Sequence, residues 1–379
     1  MPWKEVTQMK QRHEFIQFAK RVGANISQLC KCYGISRKTA YKWLDRYEKE
    51  GEKGLYNQSR RPKNSPKKTR NNIEQIVTDL RREHPAWGGR KLAARLQAKG
   101  HVEVPHASTV THILHRHGLI SKQASEQATA WKRFEHPSPN DLWQMDFKGH
   151  FPLGESRCHP LTILDDHSRF SLCLQACLNE QRDTVQAQLI EVFRRYGLPH
   201  RMNMDNGSPW GHSQPMKHRY TVLSAWMIRL GIKVSYSRPK HPQTNGKDER
   251  FHRTLKAEVL QYQSFSTLWQ AQGAFDKWRY CYNHERPHEA ISMQTPIQRY
   301  KVSQRIYPET LKAIEYGPQD LVRKVQKDGV IFYKNRCFKV GKAFYTQPVA
   351  LRHTTSDHLF DVYFCHQKIA TCDLNNPLK

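Results

Sequence analysis

Trp143-Gln144-Met145-Asp146-Phe147 alternates apolar and polar side chains and places a carboxylate inside the run. That period of two is the pattern of a half-buried strand. Two more short stretches repeat the theme in other settings. Met202-Asn203-Met204-Asp205-Asn206-Gly207 reads as a strand running into a turn, with Asp205 at its end. Gly246-Lys247-Asp248-Glu249-Arg250-Phe251-His252-Arg253-Thr254-Leu255-Lys256 reads as the opening of a helix that carries Glu249. Three carboxylates delivered by separate elements of a very basic chain point to a divalent-metal site working on nucleic acid.

The surrounding composition fits such a site. The chain has 379 residues, enough for several domains, and 62 Lys+Arg against 34 Asp+Glu give a formal net charge of +28. The excess is uneven, because residues 1–140 hold 28 basic and 12 acidic residues, as a DNA-binding arm would. No stretch is long and apolar enough to span a membrane, and Met1-Pro2-Trp3-Lys4-Glu5 opens no signal peptide. The nine cysteines are odd in number and scattered, without zinc-module spacing, which suits buried thiols in a reducing compartment. His112, His115 and His117 cluster on a basic helix, where phosphate contact or plain surface is a better reading than metal binding.

Upstream of the acidic stretches the pattern is helical. Residues 1–56 form a first domain, a helix-turn-helix with a helix over 9–22, a short helix ending at Gly34, and a second helix capped by Ser36. Arg37, Lys38, Thr39, Tyr41 and Lys42 fall in the first turns of that last helix, where a recognition helix meets bases and phosphates. A plain helical hairpin with a basic face is the alternative. Residues 57–70, with Arg60 and Arg61, are a Pro/Ser-rich basic linker, suited to tracking a DNA backbone or simply to tethering. Residues 71–120 read as a second helix-turn-helix, winged or not, in which Arg90, Lys91 and His112 are candidate DNA contacts. Residues 121–140 form another linker.

From Asp141 the pattern turns to strands near 142–151, 158–165 and 169–178, followed by helix, strand, helix, strand and helices. That order over 141–300 is a ribonuclease-H-like α/β core. Residues 301–379 contain short β-prone runs separated by turn residues and are expected to close into a small β-barrel, for DNA contact or for packing and dimerisation. The fold class is therefore a multi-domain α/β chain with all-α modules in front, an α/β core and a β-rich end.

The three acidic stretches, with Asp205-Asn206-Gly207-Ser208-Pro209-Trp210, the run Arg238–Lys256, Tyr282-Asn283-His284-Glu285-Arg286-Pro287-His288 and Thr295-Pro296, resemble the catalytic core of DDE transposases and retroviral-type integrases. The resemblance is nearest to bacterial insertion-sequence transposases. It implies that Asp146, Asp205 and Glu249 are catalytic and hold Mg²⁺, two ions per site, with Mn²⁺ as a substitute. It also implies an enzyme that binds the terminal inverted repeats of its own element, cuts 3′ ends and joins them to target DNA. The partners are then double-stranded DNA and further copies of the chain, in a dimer or larger assembly, in the cytoplasm with the nucleoid.

Helical phase separates the two acids of the third stretch. Asp248 lines up with Phe251 and Leu255, the packed side; Glu249 lines up with His252, Arg253 and Lys256, a face suited to metal and phosphate. Asp165 and Asp166 read as turn residues, with a supporting role left open. Arg253 and Lys256 are expected to hold phosphates, as is Lys240, while Gln243 and Asn245 either hydrogen-bond DNA or shape the turn. The 43 residues between Asp205 and Glu249 exceed the usual spacing of the family and place an insertion around 210–218. Two rival readings are a DNA-binding regulator with an inactive core and a ribonuclease-H-type nuclease for RNA–DNA hybrids. The three intact acids argue against the first, and two sequence-reading modules against the second.

Overall fold

Two units make up the chain, Met1–Lys68 and Thr69–Lys379. The computed structural model describes residues 7–59, 68–120, 135–211, 220–237 and 246–377. Arg60, Arg61, Lys240, Gln243 and Asn245 lie outside the described residues, as does most of the 210–218 insertion.

The first unit packs α1 (Gln8–Ala19), α2 (Ile26–Cys32) and α3 (Arg37–Glu50). Each starts on a side-chain cap. Thr7, Asn25 and Ser36 accept from backbone N–H groups three residues on, satisfying donors that the helix itself leaves free. Gly34 turns the chain between α2 and α3 at a φ of 62°, a conformation that costs glycine little. Phe15, Ile16, Cys30, Ala40, Trp43 and Leu55 form the core.

The second unit opens with α4 (Asn71–Glu83), α5 (Gly89–Ala98) and α6 (Ala107–Arg116), closed over Val77, Leu80, Trp87, Leu92, Leu96, Val110, Ile113 and Leu114. No strand occurs among the described residues of 68–120, so they show no wing. Gly89 is what lets α5 start against α6. A Cβ there would stand 2.3 Å from Thr111 Oγ1 and 2.7 Å from the Ala107 carbonyl.

The central sheet runs β4 (Ser171–Cys177), β3 (Ser156–Asp165), β1 (Trp143–Phe147), β5 (Arg201–Met204), β6 (Lys233–Tyr236), and short β2 (Phe151–Leu153) pairs with the first residues of β3. The first three strands are antiparallel and the β1–β5–β6 half is parallel, the arrangement expected of a ribonuclease-H-like core. Helices α7 (Arg182–Tyr196) and α8 (Val222–Arg229) supply the parallel crossovers and cover one face. The other face is covered by α9 (Gly246–Leu255), which continues into a π turn at Lys256–Leu260, and by α10 (Leu268–His284). Residues 135–140 belong to this core. Asn140 N–H donates to Asp165 at 2.8 Å and Glu135 pairs with Arg299 at 2.6 Å.

The C-terminal region is β-rich as expected, but it is not a closed barrel. Strands β7 (Leu321–Lys324), β10 (Pro348–His353), β11 (Leu359–Phe364) and β12 (Gln367–Asp373) form an open sheet in the order β12-β11-β10-β7, and β8 (Val330–Tyr333) pairs with β9 (Arg336–Lys339) as a separate ribbon. The physical reason lies in what the apolar face covers. Val349, Leu351, Phe360, Val362 and Phe364 join one hydrophobic cluster with Trp210, Leu223 and Met227 of the core, so the sheet packs outward as well as on itself. Gln367 fastens it, because its side-chain amide bonds both the N–H and the carbonyl of Val234 on β6, at 2.8 and 2.9 Å. All nine cysteines are free thiols. No helix among the described residues is long and apolar enough to cross a membrane.

Candidate active site

Parallel pairing brings the first two acids together. β1 and β5 run in register, Trp143 beside Met202 and Gln144 beside Asn203. Two residues further along the same direction, Asp146 and Asp205 stand at the ends of neighbouring strands, which lie about 4.8 Å apart in any sheet. Both carboxylates are anchored locally. Phe147 N–H donates to Asp146 Oδ1 and Gly207 N–H donates to Asp205 Oδ1, each at 2.8 Å.

Helix α9 presents Glu249. Asp248, Phe251 and Leu255 are buried on its packed side while Glu249 and Lys256 are exposed, as helical phase requires. Asp248 is enclosed completely enough that burial, reinforced by the charges of Asp146 and Asp166, holds its pKa far above the carboxylate range. Its Oδ1 has no hydrogen-bond partner among the described residues, a setting that disfavours the charged carboxylate. One turn on, His252 ties α9 to the sheet. Its Nε2 lies 2.9 Å from Thr162 Oγ1, and that hydroxyl donates its single hydrogen to the Asp146 carbonyl, also at 2.9 Å. His252 must therefore donate, and burial, with Lys148 nearby, keeps it neutral by pushing its pKa down to about 4.

Electrostatics show the crowding. Burial raises Asp146 to about 7, with the charge of Asp205 next in weight and those of Glu180 and Glu249 adding, against the Phe147 N–H. Asp205 is raised by burial and by Glu180, opposed by the Gly207 N–H. Among the described residues no basic side chain pairs with Asp146 or Asp205. Carboxylates that repel one another without a basic counter-charge suit a hard divalent cation.

Comparison with known proteins agrees on family. Integrase core domains match residues 136–242 and 230–296, and the C-terminal domain of IS481 family transposases matches residues 320–377. A helix-turn-helix domain matches residues 11–63 and a homeodomain-like domain residues 39–114. Among curated proteins, the transposase of transposon Tn552 from Staphylococcus aureus is 24% identical over 381 residues, covering 88% of this chain and 76% of that protein. These matches make the chain similar to bacterial insertion-sequence DDE transposases in its integrase core and in its C-terminal domain. Two insertion-element proteins are also similar. The 39.2 kDa protein of IS476 from Xanthomonas euvesicatoria is 28% identical over 160 residues, which span 42% of this chain and only 44% of that protein. The 31.7 kDa protein of IS407 from Burkholderia multivorans is 23% identical over 228 residues, 59% of this chain and 78% of that one.

The residues after Asp205 are a built turn. Asn206 donates to the Ser237 carbonyl at 2.7 Å, and Gly207 leaves room for the Asp205 carboxylate, since a Cβ there would stand 3.1 Å from Oδ2. Trp210 is fully buried, stacked on Phe147 at 5.3 Å, and its carbonyl accepts from Tyr236 and Thr221. Trp210 and Gly211, whose N–H groups both bond the Gly207 carbonyl, are thus part of this built turn. The Tyr282–His288 run is likewise structural. Asn283 pairs with both backbone groups of Ser171, at 2.8 and 2.9 Å, and Arg286 pairs with Glu258 at 2.9 Å.

Sequence reading missed Glu180. It follows β4, bonds His159 at 2.8 Å and adds its charge at both Asp146 and Asp205; a lone Glu after a strand carries no local signal of this. The candidate DNA contacts divide. Arg37, Lys38, Tyr41 and Lys42 are exposed along α3, with Thr39 half-buried and bonded to Ser36. Arg90, His112, Arg253 and Lys256 are exposed. Lys91 instead turns inward beside Arg286, Glu258 and Glu289, and burial followed by the Arg286 charge lowers it to about 8. His117 and Arg116 are occupied by Glu74.

Proposed function

We propose that this transposase binds the terminal inverted repeats of its mobile element, cleaves their 3′ ends and joins them to target DNA. The observation that carries the reading is the placement of Asp146 beside Asp205 on paired strands, with Glu249 adding its charge and no basic partner among the described residues. Asp146, Asp205 and Glu249 would hold Mg²⁺, two ions per site, with Mn²⁺ as a substitute. When bound, such ions supply Lewis-acid stabilisation of the attacking and leaving oxygens. Water attacks the phosphodiester at the element end, the bond to the 3′ oxygen breaks, and a 3′-hydroxyl remains. That hydroxyl then attacks a target phosphodiester and displaces the target's own 3′ oxygen. His252 and Thr162 keep α9 seated on β1 throughout, Arg253 and Lys256 hold phosphates, and α3 reads the end. Joining two ends requires a dimer or larger assembly of the chain on DNA.

Asp146→Asn, Asp205→Asn and Glu249→Gln are each expected to reduce cleavage and strand transfer to background in the presence of Mg²⁺, with end binding nearly intact in a gel-shift assay. A variant that still joins ends takes that residue out of the triad.

A further inference from the structure

We propose that Lys247 and Asp166 are positioning residues that set the place of α9, so that Glu249 reaches Asp146 and Asp205. The proposal rests on the reading of Glu249 as a metal ligand. Asp166 follows β3 and is only 1% exposed in its side chain, and Lys247, the second residue of α9, pairs with it while itself 17% exposed. Lys247 Nζ also donates to the Asp166 carbonyl at 3.3 Å. The carboxylate it grips is held on its other sides. Gln144 Nε2 donates to Oδ1 and the His136 N–H to Oδ2, each at 2.9 Å, and the Asp166 N–H donates to the Leu142 carbonyl at 2.9 Å.

Gln144 lies two residues before Asp146 on β1, and Lys247 two residues before Glu249 on α9. One buried carboxylate thus links the strand bearing one acid to the helix bearing another, independently of the His252–Thr162 contact one turn later. Two fixed points on one short helix determine its axial position as well as its rotation. A lysine serving DNA alone would project into solvent, as Lys256 does.

The test is Mn²⁺ binding to the full-length protein without DNA, followed by electron paramagnetic resonance, with gel-shift measurement of end binding alongside. Glu249→Gln and Lys247→Met are both expected to weaken Mn²⁺ binding by about 10-fold, the scale seen when a ligand's supporting partner is lost. Lys247→Arg keeps charge and reach and should restore most of it. Asp166→Asn combined with Lys247→Met leaves no uncompensated buried charge, so it should fold like the parent, yet its Mn²⁺ binding should stay weak. Parental Mn²⁺ binding in Lys247→Met, or recovery in the double variant, overturns the positioning role. A loss of end binding with unchanged Mn²⁺ binding assigns Lys247 to a DNA phosphate instead and overturns it too. If Glu249→Gln leaves Mn²⁺ binding unchanged, the ligand reading of Glu249 has failed, and the proposal falls with it.

Discussion

The two helical modules at the front of the chain share a pattern and differ in what they face. In α1–α3 the basic residues of the last helix, Arg37, Lys38 and Lys42, are exposed along with Tyr41, and the core is closed from behind by Trp43 under Arg12, whose guanidinium lies 4.0 Å above the ring. In α4–α6 part of the basic set is engaged inside the protein. Lys91 is enclosed beside Arg286, Glu258 and Glu289, and Arg95 pairs with Glu285 of the integrase core at 3.1 Å. The lesson is that a basic helix-turn-helix pattern states which residues are charged, and the neighbouring fold decides which of them remain free for DNA.

The sharpest way to break the comparison is through the glycines. Gly89→Ala forces a Cβ into the Thr111 side chain and the Ala107 carbonyl, and overpacking of this kind costs about 1–3 kcal/mol. Gly34→Ala meets nothing within 4 Å, so only its positive φ opposes the change, at about 1 kcal/mol. Urea unfolding of both variants should rank them in that order, and the reverse order would mean that α5 and α6 separate more easily than their packing implies.

A smaller effect separates the basic residues. Arg37→Ala and Lys42→Ala should each weaken binding to element ends and lower the salt slope of the binding constant by about 1. Lys91→Ala should leave that slope unchanged, because its amine is enclosed beside Arg286, Glu258 and Glu289. Equal slopes for all three variants would return Lys91 to the DNA interface.

The smallest expected effect is on pH. His84, stacked on Trp87 at 3.8 Å, has its pKa lowered chiefly by burial, with Glu83 opposing. A histidine held neutral by the fold contributes stability above its ordinary value of 6.5 and loses it as pH falls below that value, because the unfolded chain then binds the extra proton. His84→Phe keeps the stack and should flatten the acid side of the stability profile. An unchanged slope below pH 6.5 would show that other groups set it.

Much of this was legible in the sequence because the signals are local. Strand alternation around Asp146, the turn after Asp205 and the phase of residues 248–256 each depend on a few neighbouring side chains, and the observed elements follow them closely. The caps at Asn25 and Ser36 are legible for the same reason. The β-barrel expectation failed because closure depends on where an apolar face finds its partner, and here that partner is the core around Trp210 and Leu223. The surroundings of Lys91, Glu180 and Asp166 were not legible because each is set by residues far away in the chain.

By itself the sequence singled out Asp146, Asp205 and Glu249, the helix face that carries Glu249 and a strongly basic composition, since charge and periodicity are written residue by residue. Only the tertiary structure decided that β1 and β5 run side by side to crowd Asp146 with Asp205, that Asp248 is buried, and that Asp166 reaches across to Lys247. Those are facts of distance and solvent exclusion, and both arise only when segments remote in sequence bury one another.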